Sequence, residues 1–322
     1  MIATATVGSP AAVAALEPEW WDLWAAAPEA TPFQSPAWLL PWWEAFRPGR
    51  LRVVTVRMAE RLVALAPLYL AEDRLLPLGI SLSDYVDLLV APNQGDAVAE
   101  AFARHIGQEP GWTEWVMPEL RDQAAAWGLP LPPSCHEERH AGAGCAVLAL
   151  DRDAVPKLQR RKHRMALNRA RRRGEIEFLR AHGGSLPHLL DEFLRLHRLR
   201  WNGGVLADER VATFLRSAVP RLDAAGLLRL YAVRIGGVIA GAYLGFQHRD
   251  RVYAWLGGFD PGFAFESPGT LLIGHAIAEA RREGAGVLDF LRGDEPYKFA
   301  WGCTPVANGC RVIRRSEVHA AI

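Results

Sequence analysis

The chain has 322 residues, of which 50% are hydrophobic and 23% charged. That length suggests about two domains and supports a large core, and the composition excludes a disordered or collagen-like chain. Lys and Arg total 37 against 36 Asp and Glu, a formal net charge of +1, so bulk charge does not mark a nucleic-acid binder.

The opening MIATATVGSPAAVAALEPEW has an Ala-rich stretch with no basic flank before it, which makes a poor signal peptide. No apolar run approaches the roughly 18 residues that cross a bilayer, so the expectation is a soluble cytoplasmic protein. Helical stretches follow over Trp20–Trp24 and Pro36–Phe46, where Trp20 and Trp24, and Trp38 and Trp42, are spaced to share one helix face. Aromatics can stack on sugars, but the area each Trp buries places these pairs in a core first.

From Arg52, RVVTVRM, a polar turn at Ala59-Glu60-Arg61 and LVALAPLYLA predict a hairpin. LLPLGISLSDYVDLLVA then reads as a third extended run, GDAVAEAFARHIGQ as a helix and TEWVMPEL as a strand. The segment LPLPPSCHEERHAGAG carries the expected boundary between an N-terminal unit, 1–135, and a C-terminal unit, 136–322. Cys135, His136, His140 and Cys145 have a metal-like spacing, His-x3-His beside two thiols. Adjacent Cys135 and His136 rarely point at one ion, and a Pro-rich turn precedes them. The segment therefore reads as a surface loop, and no metal is expected. With Cys303 and Cys310 the cysteines number four, too few for a disulfide framework, and none forms CxxC.

Lys157–Arg173 reads KLQRRKHRMALNRARRR, nine Lys or Arg and no acid, the strongest electrostatic feature of the chain. Leu186–Trp201 is a second helical stretch, in which His197 and Trp201 read first as helix packing. From Leu228 the earlier order returns. LRLYAVRI turns at Gly236-Gly237 into VIAGAYLGFQ, a turn leads to VYAWLGGFD, a helix runs from about Pro268 to Glu283, and VLDFLRG follows as a strand. Ser267 as cap, Pro268 in the first turn, Arg281-Arg282 in the last and Gly284 beyond it are all placed where helix ends prefer them. Two copies of β-β-β-α-β imply duplication of an α/β unit, each a mostly antiparallel sheet with flanking helices.

A strand, a glycine-rich loop and a helix N-terminus together cradle phosphate, because free backbone N–H groups and the helix dipole both face the anion. The second copy offers Gly257, Gly258, Ser267, Gly269 and Thr270 there; an ordinary capped helix is the alternative. The first copy has Asp96 in the opening turn, which would repel an anion.

The order of elements, with FQSPAWLLPWWEAF, SDYVDLL, the basic helix holding Arg164 and Asn168, LHRLRW, GGFDPGFAFESPGTLL and DFLRGDEPYKFAWG, resembles the tandem branch of the GNAT acyltransferases. Within that branch it is similar to the CelD-like family linked to cellulose (polysaccharide) biosynthesis and to the FemABX aminoacyl transferases. The resemblance implies two tandem GNAT-like units and acyl transfer from acetyl-CoA or another acyl-CoA to an amine or hydroxyl of a sugar or cell-envelope precursor. It places the oxyanion-stabilising backbone at Gly257 and Gly258. ESPGT stands where the family's usual phosphate loop would be.

By the same resemblance Lys298 holds phosphate or developing negative charge. Asp289, Asp294 and Glu295 are candidate bases, with Asp294 chosen, Tyr297 could protonate the leaving thiolate and Arg292 could orient an anionic group; an ordinary salt-bridged loop is the alternative for each. Asp84, Tyr85 and Asp87 would bind acceptor, together with Arg164 and Asn168; a turn with Asp at a strand end is the alternative for the first three. An acceptor site between the two copies would fit both groups. The rest of the basic helix could meet CoA phosphates, a nucleotide-linked acceptor, tRNA or an anionic lipid surface, although most of its arginines read as a solvated face. Two other functions stand beside acyl-CoA transfer: an aminoacyl-tRNA-dependent transferase, and a catalytically silent pair that binds nucleic acid or glycan. The intact polar cluster DFLRGDEPYK argues against the silent pair.

Overall fold

A computed structural model of the protein describes residues 1–151 and 154–316. Two compact units form among the described residues, one of Met1–Ala143 together with 307–316, the other of Gly144–Val306.

The first unit opens with β1 (Ile2–Val7), α1 (Pro10–Ala15), α2 (Glu17–Ala26) and α3 (Pro36–Phe46). The strands β2 (Arg50–Leu51), β3 (Val53–Met58), β4 (Arg61–Ala66), β5 (Leu68–Ala71), β6 (Arg74–Pro77) and β7 (Leu89–Val90) follow, then α4 (Asp96–Gln108) and β8 (Glu114–Leu120). β1, β3, β4 and β7 make one antiparallel sheet; β5 instead pairs with β2 and β6. The expected single strand LVALAPLYLA is therefore two, divided at Pro67, whose missing N–H cannot continue a ladder. LLPLGISLSDYVDLLVA is likewise extended only at its ends, since Gly79 and Ser81 take positive φ between them. Trp20, Trp38 and Trp42 are buried, and the indole N–H groups of Trp20, Trp24 and Trp38 donate to Gln34 O, Thr31 O and Ser83 Oγ at 2.8–3.0 Å. The tryptophan pairs belong to the core.

β9 (Cys135–Ala149) occupies the segment expected as a loop and linker. Its C-terminal part, Cys145–Ala149, pairs with the strand Val287–Arg292, and the Pro-rich turn only precedes it. Cys135 and His136, as neighbours on a strand, point to opposite faces.

The second unit continues with α5 (Lys157–Arg173), β10 (Ile176–Arg180), α6 (Leu186–Trp201) and α7 (Glu209–Ala224). Next come β11 (Leu228–Ile235), β12 (Val238–His248), β13 (Arg251–Phe259), α8 (Pro268–Arg282), β14 (Val287–Arg292), the short α9 (Pro296–Ala300) and β15 (Thr304–Arg315). The strand order β10-β11-β12-β13-β14-β9 is antiparallel except for β13 against β14. The β-β-β-α-β order read from Leu228 on matches these elements. From Gly309 to Arg314, β15 pairs with β8 in the first unit.

Two irregularities interrupt the sheet at β13. Its ladder to β12 slips between Leu244 and Gly245, leaving Trp255 as an extra residue in a bulge. Its parallel pairing with β14 covers Arg251–Tyr253 against Val287–Asp289, and a cleft opens beyond that point. α6 crosses the back of the strand so closely that a Cβ on Gly258 would stand 2.5 Å from His197 Cα. Only glycine permits that approach.

Candidate active-site cleft

The cleft has a volume of about 680 Å³ and lies wholly in the second unit. β13 from Ala254 to Phe259 forms its floor with Ala242 and Tyr243 of β12. The start of α8 (Ser267, Gly269, Thr270, Leu272, Ile273) forms one wall; Phe290, Pro296, Tyr297, Ala300 and Trp301 form the other. Gln159 and Lys162 of α5 and Arg200 and Trp201 of α6 stand around it.

All five residues expected at the donor cradle line the cleft: Gly257, Gly258, Ser267, Gly269 and Thr270. The local reason at Ser267 differs from the expected one. Ser267 is the N-cap residue of α8 but has a left-handed backbone (φ 57, ψ 60), and its hydroxyl donates back to Ala264 O instead of capping the helix. No acid lies in the first turn of α8, so its N-terminal dipole faces the cleft without a competing charge. The one acid of the ESPGT loop, Glu266, is buried and bound by Arg173 at 2.9 Å. Arg173 also donates to Gly262 O and stacks over Phe263, so the C-terminal end of α5 holds the loop and neutralises its charge.

The polar cluster after β14 divides. Tyr297 lines the cleft and is 48% exposed, and burial around its hydroxyl together with nearby Glu295 pushes its pKa up to about 12. It is a phenol that stays protonated and can donate. Lys298 turns the other way. It is 3% exposed, and its Nζ donates to the carbonyls of Leu291, Arg292 and Gly293 at 3.4, 2.5 and 3.3 Å and pairs with Glu295 at 2.9 Å. With its donors committed to the loop, Lys298 is not placed to hold phosphate, contrary to expectation.

Asp289 is fully buried and accepts from Arg251 Nη1 and from the N–H of Leu291, both at 2.9 Å. The second bond supports the left-handed backbone of Leu291 (φ 59) where the β14–β9 ladder slips. Arg292 is half-buried and paired with Cys145 in that ladder, and Asp294 is exposed; neither lines the cleft. No Asp or Glu is among the lining residues, so the expected base at Asp294 is not positioned in the cleft.

Arg164 and Asn168, expected to bind acceptor, are exposed on α5 and lie outside the lining. The buried stripe of this helix is Gln159, Ala166 and Ala170, and Lys162, four residues before Ala166, flanks it. Asp84, Tyr85 and Asp87 lie in the first unit and are committed to its interior. Asn308 Nδ2 donates to Asp84 O, Gln34 Nε2 donates to Tyr85 O, and Asp87 accepts three backbone N–H groups, from Leu88, Ala125 and Ala126, at 2.8–2.9 Å. Burial pushes the Asp87 carboxyl up to about 7 despite those bonds and nearby Arg121. Its geometry is that of an anchor for the turn at Ala125–Gly128.

Sequence reasoning missed Gln159, Lys162, Arg200, Trp201, Tyr243, Trp255 and Trp301. Trp201 was read as helix packing; its indole N–H donates to Gly257 O at 2.9 Å, which fixes it at the cleft. Arg200 stacks over Trp201 and Phe259 at 4.6 and 4.9 Å. An Arg-Trp pair closing a helix was the available signal. His197 is buried instead, does not line the cleft, and has its pKa lowered to about 4 by burial and by Arg198.

Residues 157–299 match the family described as acetyltransferase (GNAT) domain. No curated protein matches the chain in sequence. Among solved structures, FemX is 12% identical with a TM-score of 0.64, covering 92% of this chain and 95% of that one. The C-terminal domain (DUF2156) of a putative lysylphosphatidylglycerol synthetase from Agrobacterium fabrum is 10% identical, with a TM-score of 0.60 and coverage of 93% and 91%. A tandem GNAT protein from the clavulanic acid biosynthesis pathway is 14% identical, with a TM-score of 0.51 and coverage of 98% and 99%. At such identities the likeness is one of fold. The chain has a GNAT-like fold, and its second unit carries the stretch that matches a GNAT acetyltransferase domain.

Proposed function

We propose that the protein is an acyltransferase that takes an acyl group from an acyl-CoA and delivers it to an amine or hydroxyl, on a sugar or cell-envelope precursor of the kind the CelD-like resemblance implies. The observation that carries this reading is the cleft where β13 and β14 part, with the acid-free N-terminus of α8 at one side. The N–H groups of α8's first turn would meet the donor's phosphates, with Lys162 and Arg200 supplying positive charge. The backbone of β13 at Gly257 and Gly258 would polarise the thioester carbonyl. As the acceptor nitrogen or oxygen bonds to the thioester carbon and the C–S bond breaks, Tyr297, protonated at any ordinary pH, would give its proton to the departing thiolate and regain the one the acceptor sheds.

The test is calorimetric titration with acetyl-CoA, longer acyl-CoAs and free CoA. Binding is expected in the micromolar range, about −8 kcal/mol. It should be weakened at least tenfold by Gly269→Asp, which places a carboxylate in the first turn of α8. A Cβ there finds its nearest neighbour, Phe259 Cδ1, at 4.0 Å, so the fold tolerates the change. Failure of every acyl-CoA to bind would overturn the reading. An aminoacyl-tRNA donor is the second reading, since FemX shares the fold. An aminoacyl group brings an ammonium, and the cleft lining has no carboxylate to receive it.

A further inference from the structure

The basic helix α5 is only partly used by the cleft. Gln159 and Lys162 line it, and Arg173 holds the loop before α8. The face opposite the buried Gln159, Ala166 and Ala170 carries Leu158, Arg161, Met165, Asn168 and Arg172, one stripe at i, i+3, i+7 spacing. Lys157, Arg164 and Arg171 border it. Among the described residues no side chain pairs with Lys157, Arg161, Arg164, Arg171 or Arg172.

The same face is not simply polar. Leu158 is 63% exposed and Met165 42%, two helical turns apart and about 10 Å along the axis. Beside the helix Phe265 is 68% exposed, held under the Arg169 guanidinium at 4.6 Å. Three large apolar side chains thus stand in water within a field of unpaired cations. A solvated charge face has no physical need of them.

We propose that this patch seats the protein on an anionic phospholipid bilayer, with the cations at the headgroups and Leu158, Met165 and Phe265 entering the boundary with the acyl chains. Cations attract a negatively charged leaflet, and apolar side chains between them gain by leaving water at the interface. A nucleic acid would satisfy the cations equally well but gives no role to an aliphatic Leu and Met in the middle of the stripe. Because Gln159 and Lys162 belong both to this helix and to the cleft lining, docking holds the cleft beside the lipid surface.

The experiment is flotation of the full chain with phosphatidylcholine vesicles made with and without phosphatidylglycerol, at rising salt, alongside a short RNA duplex. Binding is expected only to the phosphatidylglycerol vesicles and should weaken with salt. Arg161→Gln/Arg164→Gln/Arg172→Gln should lower it on the order of a hundredfold, about fivefold per cation. Leu158→Gln/Met165→Gln, which keeps every charge, should lower it at least tenfold. Circular dichroism and thermal melts verify that both variants are folded, and their calorimetric titration with acyl-CoA should match that of the parent. Failure to float with phosphatidylglycerol vesicles overturns the proposal. So does binding that survives Leu158→Gln/Met165→Gln, or RNA binding tighter than vesicle binding with the same insensitivity, which would make the helix a polyanion-binding face. Since vesicle binding needs no acyl donor, its failure is distinct from failure of the acyl-CoA reading.

Discussion

Lys298 and Tyr297 are neighbours in sequence with opposite fates. Tyr297 faces the cleft, and Tyr297→Phe should lower kcat about a hundredfold while donor affinity in calorimetry stays within about threefold, as loss of a proton donor does. Lys298 is buried against three carbonyls and Glu295. Lys298→Met removes their shared donor, and the expected result is a loss of about 2–4 kcal/mol in denaturant unfolding. A Lys298→Met variant of unchanged stability that had lost only turnover would return Lys298 to the chemistry. Asp87→Ala should behave as Lys298→Met does, costing about 2 kcal/mol because the N–H groups of Ala125 and Ala126 lose their acceptor, with acyl-CoA titration of the second unit's cleft unaltered.

At the scale of elements, the cleft depends on one bulge and one close crossing. The extra residue at Trp255 turns β13 where its pairing with β14 ends, and Gly258 lets α6 lie against the strand. Gly258→Ala puts a methyl into the His197 backbone, so unfolding should show a loss of at least about 2 kcal/mol, the cost of overpacking where neither element can yield. Gly269→Ala, by contrast, adds its methyl to open space and should leave stability within about 1 kcal/mol, since a helical Ala is preferred to Gly. The difference between these two glycines separates a close-packed position from an open one, although both line the cleft.

For the whole molecule, buried ionisable groups set the pH response. Burial lowers His197 and His248 from 6.5 to about 4. Their folded values lie below those of the unfolded chain, so the unfolded state takes up protons first. The stability they support is complete above about pH 6.5 and is lost as pH falls toward 4. Asp87 acts in the other sense: raised from 3.8 to about 7, it supports the folded state below pH 3.8 and loses that contribution as pH rises through 7. With two histidines against one carboxyl, the thermal midpoint should fall between pH 6.5 and 4, and fall less in His197→Asn. Melting curves across that range check the sign.

Much of this architecture was legible along the chain. Periodicity and turn chemistry located β11 to β14 and α8 almost to the residue, because an alternating strand and a capped amphipathic helix write their repeat into consecutive positions. They also located Gly257, Gly258, Ser267, Gly269 and Thr270, which line the cleft, since a glycine-bearing strand end and a helix N-terminus are local motifs. The tertiary structure decided what depends on direction. It turned Lys298 inward and Glu266 toward Arg173, joined Trp201 to Gly257 O, and chose Lys162 over Arg164 to face the cleft. It also made a strand of Cys135–Ala149 and returned the chain from Ala307 to the first unit. A sequence shows which groups are available, but a side chain's partner is set by whatever packs opposite it, and those neighbours come from distant parts of the chain.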